Sequence, residues 1–303
     1  MVKVAVEGRI IELKNLEKRF WPEGFTKGDL IRYYDSVAPH LLPYLKDRPL
    51  VLNRYPDGIE GESFYQKDCP GHAPEWVETV PVKHGDAGKV IDYILCNDKP
   101  TLLWMVQQGA VELHAWLARR GAINHPDIAV LDLDPMPGVS FPQVVESAFL
   151  LKAALSEFNL HGYPKTSGSE GLHIFIPVEP EYTHREVAQA MGYVADFVAK
   201  VFPKATTERA VEKRGARVYL DYLQNGYGKT MASPYSVRPL PGAPVSTPLD
   251  WEELAHREWR PQDFNIATVP ARLEARGAVW QGFGRRQSLQ TLTAAVLKRP
   301  LSR

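Results

Sequence analysis

Cysteine is nearly missing. The 303 residues hold only Cys69 and Cys96, too few for a disulfide framework and in keeping with a reducing cytosol. No apolar run approaches the ~18 residues that a membrane-spanning helix needs, so no membrane association is expected. The start, Met1-Val2-Lys3-Val4-Ala5-Val6-Glu7, lacks the apolar core of a secretory signal, and a cytoplasmic location follows as the expectation. Net charge is also missing: 36 Lys and Arg balance 36 Asp and Glu, which argues against binding by bulk positive charge alone. Repeats and low-complexity segments are absent. What is present is ordinary, 44% apolar and 24% charged residues, which excludes wholesale disorder and supplies a real core.

Charge is unevenly placed. Between Lys200 and Leu240 eight cations (Lys200, Lys204, Arg209, Lys213, Arg214, Arg217, Lys229, Arg238) face three acids, Glu208, Glu212 and Asp221. From Arg272 to Arg303 seven Arg and Lys face Glu274 alone. Such blocks suit a phosphate-rich partner or form a solvated face.

Patterning mixes strands and helices irregularly. Residues 4–13 alternate around Gly8 and read as a hairpin. Thr26 caps a helix with Asp29 in its first turn, running through Leu30, Tyr33, Tyr34 and Val37. Strands are expected over 50–55 and 63–66, split by the turn Pro56-Asp57-Gly58, and over 90–95, 111–116, 128–133, 171–178 and 217–223. Helices are expected over 101–108, 141–158, from the capping box Thr183-His184-Arg185-Glu186 to 202, after Asp250, and over 286–298. This order predicts an α+β class rather than a doubly wound fold. Residues 1–303 are expected to form one domain, with a lobe over about 1–120 and the remainder over about 121–303.

Three aspartates carry the chemistry. In Ala129-Val130-Leu131-Asp132-Leu133-Asp134-Pro135 the strand period puts Asp132 and Asp134 on one face, roughly 7 Å apart, with Leu131 and Leu133 opposite. Paired carboxylates at the end of a buried strand repel and lose solvation, and a divalent cation relieves both costs. Oxygen-only donors favour Mg²⁺ or Mn²⁺ over zinc. Turn and cap roles are the competing reading. Asp221, in Val218-Tyr219-Leu220-Asp221-Tyr222, is a third acid inside a strand; its alternative is an ion pair with Arg217 or a nearby lysine. Three such acids suffice for the two-metal clamp of phosphoryl or nucleotidyl transfer. Between two strands, Thr166-Ser167-Gly168-Ser169-Glu170-Gly171-Leu172-His173 is either a tight anion cradle or a plain hairpin loop. It lacks the Gly-Lys-Ser/Thr of a Walker loop.

Taken together, Leu131-Asp132-Leu133-Asp134-Pro135, the 166–173 loop, Leu220-Asp221-Tyr222-Leu223-Gln224-Asn225, Lys229-Thr230 and Ala232-Ser233-Pro234-Tyr235-Ser236-Val237-Arg238 resemble, in order and spacing, the polymerase domain of bacterial DNA ligase D, of the archaeo-eukaryotic primase superfamily. The likeness runs over about residues 13–254. It implies a primase-like mixed and antiparallel sheet core with flanking helices and an N-terminal DNA-end-binding lobe. It also implies a repair polymerase of non-homologous end joining that adds nucleoside triphosphates, ribonucleotides preferred, at gapped duplexes and broken ends, with two Mn²⁺ or Mg²⁺ ions. By family position Asp132, Asp134 and Asp221 are the metal ligands. Ser167, His173, Lys229 and Arg238 hold the nucleotide, His114 lies near its sugar, Arg214 near the triphosphate or primer end, and Gln224 supports the site. A Ku-type partner, a DNA ligase and a nucleoid location are implied in the same way.

The N-terminal third gains roles from the same resemblance. Asn15, Lys18 and Lys27 match a pocket for a 5′-phosphate, where two lysines and an amide grip a dianion. A solvated, capped helix face is the alternative. Phe64 and Tyr65 match residues that stack on template bases; as core residues, strict alternation would expose only one of them. Glu170 departs from the family, where lysine is frequent. Cys69-Pro70-Gly71-His72 is half a zinc motif, with His84 and Cys96 at irregular spacing. Two other functions compete: a haloacid-dehalogenase-like phosphatase with Asp132 as nucleophile, and a non-catalytic DNA-end adaptor.

Overall fold

The computed structural model describes residues 1–84, 88–256 and 260–297. They form two compact units. The first draws on Met1–Gly121, Thr230–Thr247 and Pro261–Ala278, the second on the described residues of Ala122–Lys229, Pro248–Arg260 and Val279–Arg303.

The first unit opens with the expected hairpin, β1 (Val2–Val6) and β2 (Arg9–Leu13). Glu7 and Gly8 both take positive φ, 47° and 79°, the requirement of a tight primed turn. Helix α1 (Lys27–Leu45) starts on a capping box between Thr26 and Asp29. It runs well past Val37, through Pro39 and Pro43. The apolar stripe continues as Ala38, Leu41 and Leu45, all fully buried, and this packing outweighs the two lost backbone donors. Strands β3 (Leu50–Arg54) and β4 (Phe64–Gln66) follow, then a hairpin of β5 (Thr79–His84) and β6 (Lys89–Ile94). Strand β5 is absent from the sequence reading: it carries Pro81 and buries Val82 alone, so its alternation is faint. Helix α2 (Lys99–Gln107), capped by Asp98, leads into β7 (Ala110–Trp116).

The second unit is built on β8 (Ile128–Pro135), whose residues through Leu133 are all buried. Helix α3 (Phe141–Ser156), β9 (Tyr163–Thr166), β10 (Leu172–Pro177), α4 (His184–Val201), β11 (Ala205–Thr206) and β12 (Val218–Asp221) follow. The sheet order is β11-β12-β8-β10-β9. Every pairing is antiparallel except β11 with β12, and α3 and α4 pack on each other and on β8. The expected α+β class is therefore the observed one. Strand β12 ends at Asp221, short of the expected 223, because residues 223–225 turn sharply. Fully buried Asn225 then carries on the ladder with its side chain: its Oδ1 accepts Val130 N–H at 2.8 Å and its Nδ2 donates to Val130 O at 2.8 Å.

Beyond Lys229, β13 (Thr230–Ala232) pairs with β7, giving the first unit a sheet ordered β13-β7-β3-β4. Helix α5 (Trp251–His256) is capped by Asp250, which accepts Glu253 N–H at 2.6 Å. Helix α6 (Val269–Arg276) lies outside the sequence expectations. The last helix, α7 (Gln290–Leu297), starts four residues later than 286 because Gln287 bridges Val178 in an extended segment; Lys298 lies outside the described residues. Among the described residues no helix is long and apolar enough to cross a membrane.

Candidate active site

The registers of β8, β10 and β12 line up the second unit's chemistry. Asp132 is directly opposite Asp221 on one side and His173 on the other. Directly opposed residues share a face, with Cβ atoms ~4.5–5.5 Å apart. Asp134 follows on the same face, opposite Tyr219. Asp132 and His173 are buried, and His173 Nε2 is 3.3 Å from Asp132 Oδ1. Burial first, then the charge of Asp221, push the Tyr219 hydroxyl up to about 12, so it is a neutral phenol.

Asp221 shows no pairing with Arg217, the alternative raised from sequence. The Arg217 guanidinium donates instead to the carbonyls of Arg214 and Lys213 at 2.5 and 2.7 Å. Asp221 Oδ1 accepts Leu223 N–H at 2.8 Å, and Oδ2 accepts Gln224 Nε2 at 3.1 Å. Its carboxylate is thus turned toward its own turn. Consistently, among the described residues no three His, Cys, Asp or Glu side chains converge on one point. The donor chemistry nonetheless fits a hard divalent cation: carboxylate oxygens alone, two of them on directly opposed residues, with one acid buried. Arg214 lies over the Tyr219 ring at 3.4 Å and donates to Glu208 O at 3.0 Å.

The 166–173 loop is a tight turn joining β9 to β10. Ser167 Oγ accepts the N–H groups of Ser169 and Gly171 at 3.0 and 3.1 Å, and Gly168 takes φ 75°. Gly171 is required for close approach: a Cβ there would meet Leu133 O at 2.2 Å. Glu170 is exposed, as is Lys229, whose N–H donates to Gly226 O at 3.1 Å.

In the first unit a separate polar cluster sits on β3 and β7. Glu112 is 3% exposed and ion-pairs with Arg238 Nε. Its Oε2 accepts Asn53 Nδ2 at 2.6 Å and lies 3.5 Å from His114 Nε2, an ion-pair distance rather than a hydrogen bond. Burial raises the Glu112 carboxyl, but His114, Arg238 and Asn53 outweigh it and hold the group at about 2. Glu112 and Asn53 escaped the sequence reading. A glutamate two residues before His114, in a strand whose other residues are apolar, is the available signal.

Asn15, Lys18 and Lys27 come together. Asn15 takes φ 58°, Lys18 N–H donates to Asn15 O at 3.0 Å, and Lys27 N–H donates to Lys18 O at 2.8 Å. Lys18 donates to Pro56 O at 2.9 Å and pairs with Asp57. Lys27, at the start of α1, is 7% exposed; burial first, then the charges of Lys18 and Arg54, bring its ammonium down to about 8. Arg54 is a third cation here that sequence did not single out. A buried ammonium facing two cations is strained unless an anion joins it.

Phe64 and Tyr65 are both exposed, 47% and 63%, which corrects the alternation argument. Strand β4 is a short strand at the edge of its sheet. Arg54 lies 5.1 Å over the Phe64 ring, and Tyr65 meets His114 edge-on at 6.3 Å. The zinc half-motif does not assemble: His84 Nε2 bonds Tyr93 Oη at 2.9 Å, His72 faces Trp104, and Cys96 is fully buried with its thiol pushed up by that burial.

Comparison with known proteins identifies relatives of this chain. A model of the LigD primase-polymerase domain matches residues 26–280. The bifunctional non-homologous end joining protein LigD of Bacillus subtilis is 37% identical over 271 residues, covering 89% of this chain and 43% of that protein. The multifunctional LigD of Mycolicibacterium smegmatis is 32% identical over 254 residues, 82% of this chain and 33% of that one. Among solved structures, the polymerase domain of Mycobacterium tuberculosis ligase D in complex with DNA superposes with a TM-score of 0.84 at 28% identity, over 94% of this chain and 98% of that one. The chain spans less than half the length of these LigD proteins. On this match the chain belongs to the LigD primase-polymerase domain family.

Proposed function

We propose that the chain is a DNA-directed nucleotidyltransferase of non-homologous end joining, extending 3′-OH ends at gaps and breaks with nucleoside triphosphates, ribonucleotides preferred. The observation that carries this reading is the cross-strand row of Asp221, Asp132 and His173, with Asp134 one step along β8. Asp132, Asp134 and Asp221 would hold two Mg²⁺ or Mn²⁺ ions, which supply neutralisation of the triphosphate and a lowered pKa for the attacking hydroxyl. Gln224 orients Asp221 through its amide. His173 and Ser167 donate to the nucleotide's phosphates, and Lys229 and Arg214 add positive charge for them.

In the first unit, Arg238 and His114, both beside Glu112, are assigned to nucleotide binding, His114 to the sugar. Asn15, Lys18 and Lys27 bind the 5′-phosphate of a gap. The neighbour solved with DNA supports nucleic acid as the partner. Phe64 and Tyr65 offer exposed rings for template bases. A Ku-type end-binding protein, a DNA ligase and a nucleoid location complete the reading.

A phosphatase using Asp132 as nucleophile would need a doubly wound parallel sheet, whereas both neighbours of β8 run antiparallel to it. The test is extension of a gapped duplex with labelled ribonucleotides. Asp132→Ala is expected to lower extension by ~100-fold or more while gapped-DNA binding persists. Normal extension by that variant would refute the assignment. Loss in the parent as well would favour the end-adaptor alternative.

A further inference from the structure

The second unit holds a concavity that takes no part in the proposed reaction. A cavity of about 620 Å³ is lined by Phe158, His161, Tyr163, Arg285, Arg286, Ser288 and Thr291. Its wall is firmly built. Gln287 accepts His161 N–H at 2.6 Å on its side-chain oxygen, and its amide donates to His161 O and Pro177 O at 3.0 and 3.1 Å. Its backbone carbonyl accepts Glu179 N–H at 3.0 Å. Tyr182 Oη accepts Leu289 N–H at 3.1 Å and shares a 2.9 Å hydrogen bond with Ser288 Oγ. Tyr163 is held edge-on by His161 at 4.7 Å and by Phe283 at 5.2 Å. Gly282, at φ 78°, brings the chain so close that a Cβ there would be 3.4 Å from Tyr163 Oη.

The charge around this cavity is positive. Arg285 and Arg286 are consecutive in the chain and both line it. Arg286 Nη2 is 3.5 Å from Asp127, a long ion pair, and the charge of Lys152 acts on His161. Arg285 acts on Tyr163. The planar guanidinium forks of Arg285 and Arg286 match phosphate oxygens. The volume exceeds what a lone inorganic phosphate fills and falls within the ~300–1,000 Å³ of small-molecule sites. Hydroxyl, imidazole and ring surfaces line the remainder.

We propose that this cavity binds a phosphorylated nucleotide, with the phosphate on Arg285 and Arg286 and the base against Phe158 and His161. The source is a free nucleoside monophosphate or the terminal nucleotide of a nucleic-acid strand. The inference rests on the cavity alone and stands whether or not the polymerase reading does.

The test titrates inorganic phosphate, adenosine monophosphate and a 5′-phosphorylated hexanucleotide into the whole chain. Hydrogen exchange over residues 279–291 gives a local readout, separate from the acid row. Adenosine monophosphate is expected to protect these amides at concentrations at least ~10-fold lower than inorganic phosphate does. Arg285→Ala is expected to weaken that protection ~10-fold or more, with gap extension within about twofold of the parent. Thr291→Phe, which fills the cavity and keeps both arginines, is expected to act likewise. If the hexanucleotide acts ~10-fold more tightly than the monophosphate, the source is a strand end; if equally, it is the free nucleotide. Protection unchanged in both variants, or no preference for the monophosphate over inorganic phosphate, overturns the proposal.

Discussion

His173 Nε2 stands 3.3 Å from Asp132 Oδ1, and the two residues are directly paired across β10 and β8. Asp132 therefore has an imidazole on one side and, across β12, the like-charged Asp221 on the other. Two acids facing each other across paired strands repel, and a bound cation would relieve that repulsion.

Asp221→Asn removes the like-charge neighbour while its oxygen still accepts Leu223 N–H. Extension should fall by ~100-fold or more. In chelator-treated protein the variant should gain about 0.5 kcal/mol, since like charges directly opposed across strands destabilise. Thermal unfolding in the presence of chelator measures the second effect; a clear loss of stability would show that repulsion is not what governs this pair.

Lys27 makes gap binding pH-dependent. Its ammonium titrates at about 8 in the free protein. A 5′-phosphate favours the charged form, so the preference for 5′-phosphorylated over unphosphorylated gaps should be full below pH 8 and fall as pH rises through it. The stability sign is the reverse. The unfolded chain keeps this proton up to about 10.5, so between pH 8 and 10.5 the folded protein gains stability as pH rises. Lys27→Met should abolish the phosphate preference and raise stability at pH 7. Anisotropy titrations on paired substrates decide; equal affinity losses on both would reject the pocket.

Glu112 sets an acid limit for the first unit. Its carboxyl is held at about 2 against an ordinary 4.5. The stability it contributes is complete above pH 4.5 and drains away as pH falls toward 2. Glu112→Gln strands the Arg238 charge and should cost about 3 kcal/mol at pH 7. The penalty relative to the parent should shrink over that acid window. Urea unfolding at a series of pH values reads both; a pH-independent penalty contradicts the electrostatic account.

Gly171→Ala drives a methyl into Leu133 O, at 2.2 Å. The junction of β8 and β10 must shift, and the expected cost is about 3 kcal/mol. Gly8→Ala, with nothing within 4 Å but φ 79°, should cost only about 1 kcal/mol. Comparable losses in the two would show that the strands relieve the Leu133 contact at little cost and that close approach is not the constraint at 171.

Phe64→Ala and Tyr65→Ala should leave stability within about 0.5 kcal/mol of the parent, because both rings are already exposed. Affinity for a gap with an unpaired template base should drop by ~1 kcal/mol or more per ring. Affinity unchanged in both variants would remove them from the template.

Much was legible without coordinates. The alternation in Leu131-Asp132-Leu133-Asp134 reports its own strand and face, and Thr26, Asp29, Thr183 and Glu186 announce the helix starts that the capping boxes then form. These are local signals, written within a few residues of the structure they specify. Strand β5 was not legible, since one buried valine and a proline leave no period to read. Nor was the length of α1, since its two prolines argue locally for a stop that tertiary packing overrides.

The sequence by itself determined which side chains exist to do chemistry, that they lie on strands and tight turns, and which family they belong to. Only the tertiary structure decided that Asp221 opposes Asp132 and not Arg217, that Lys27 is buried beside Lys18 and Arg54, and that Glu112 gathers Asn53, His114 and Arg238. The reason is physical. Periodicity fixes the face on which a side chain emerges, but tertiary packing joins residues 126 positions apart in Arg238 and Glu112 and 203 apart in Val237 and Tyr34, and no local pattern encodes such distances.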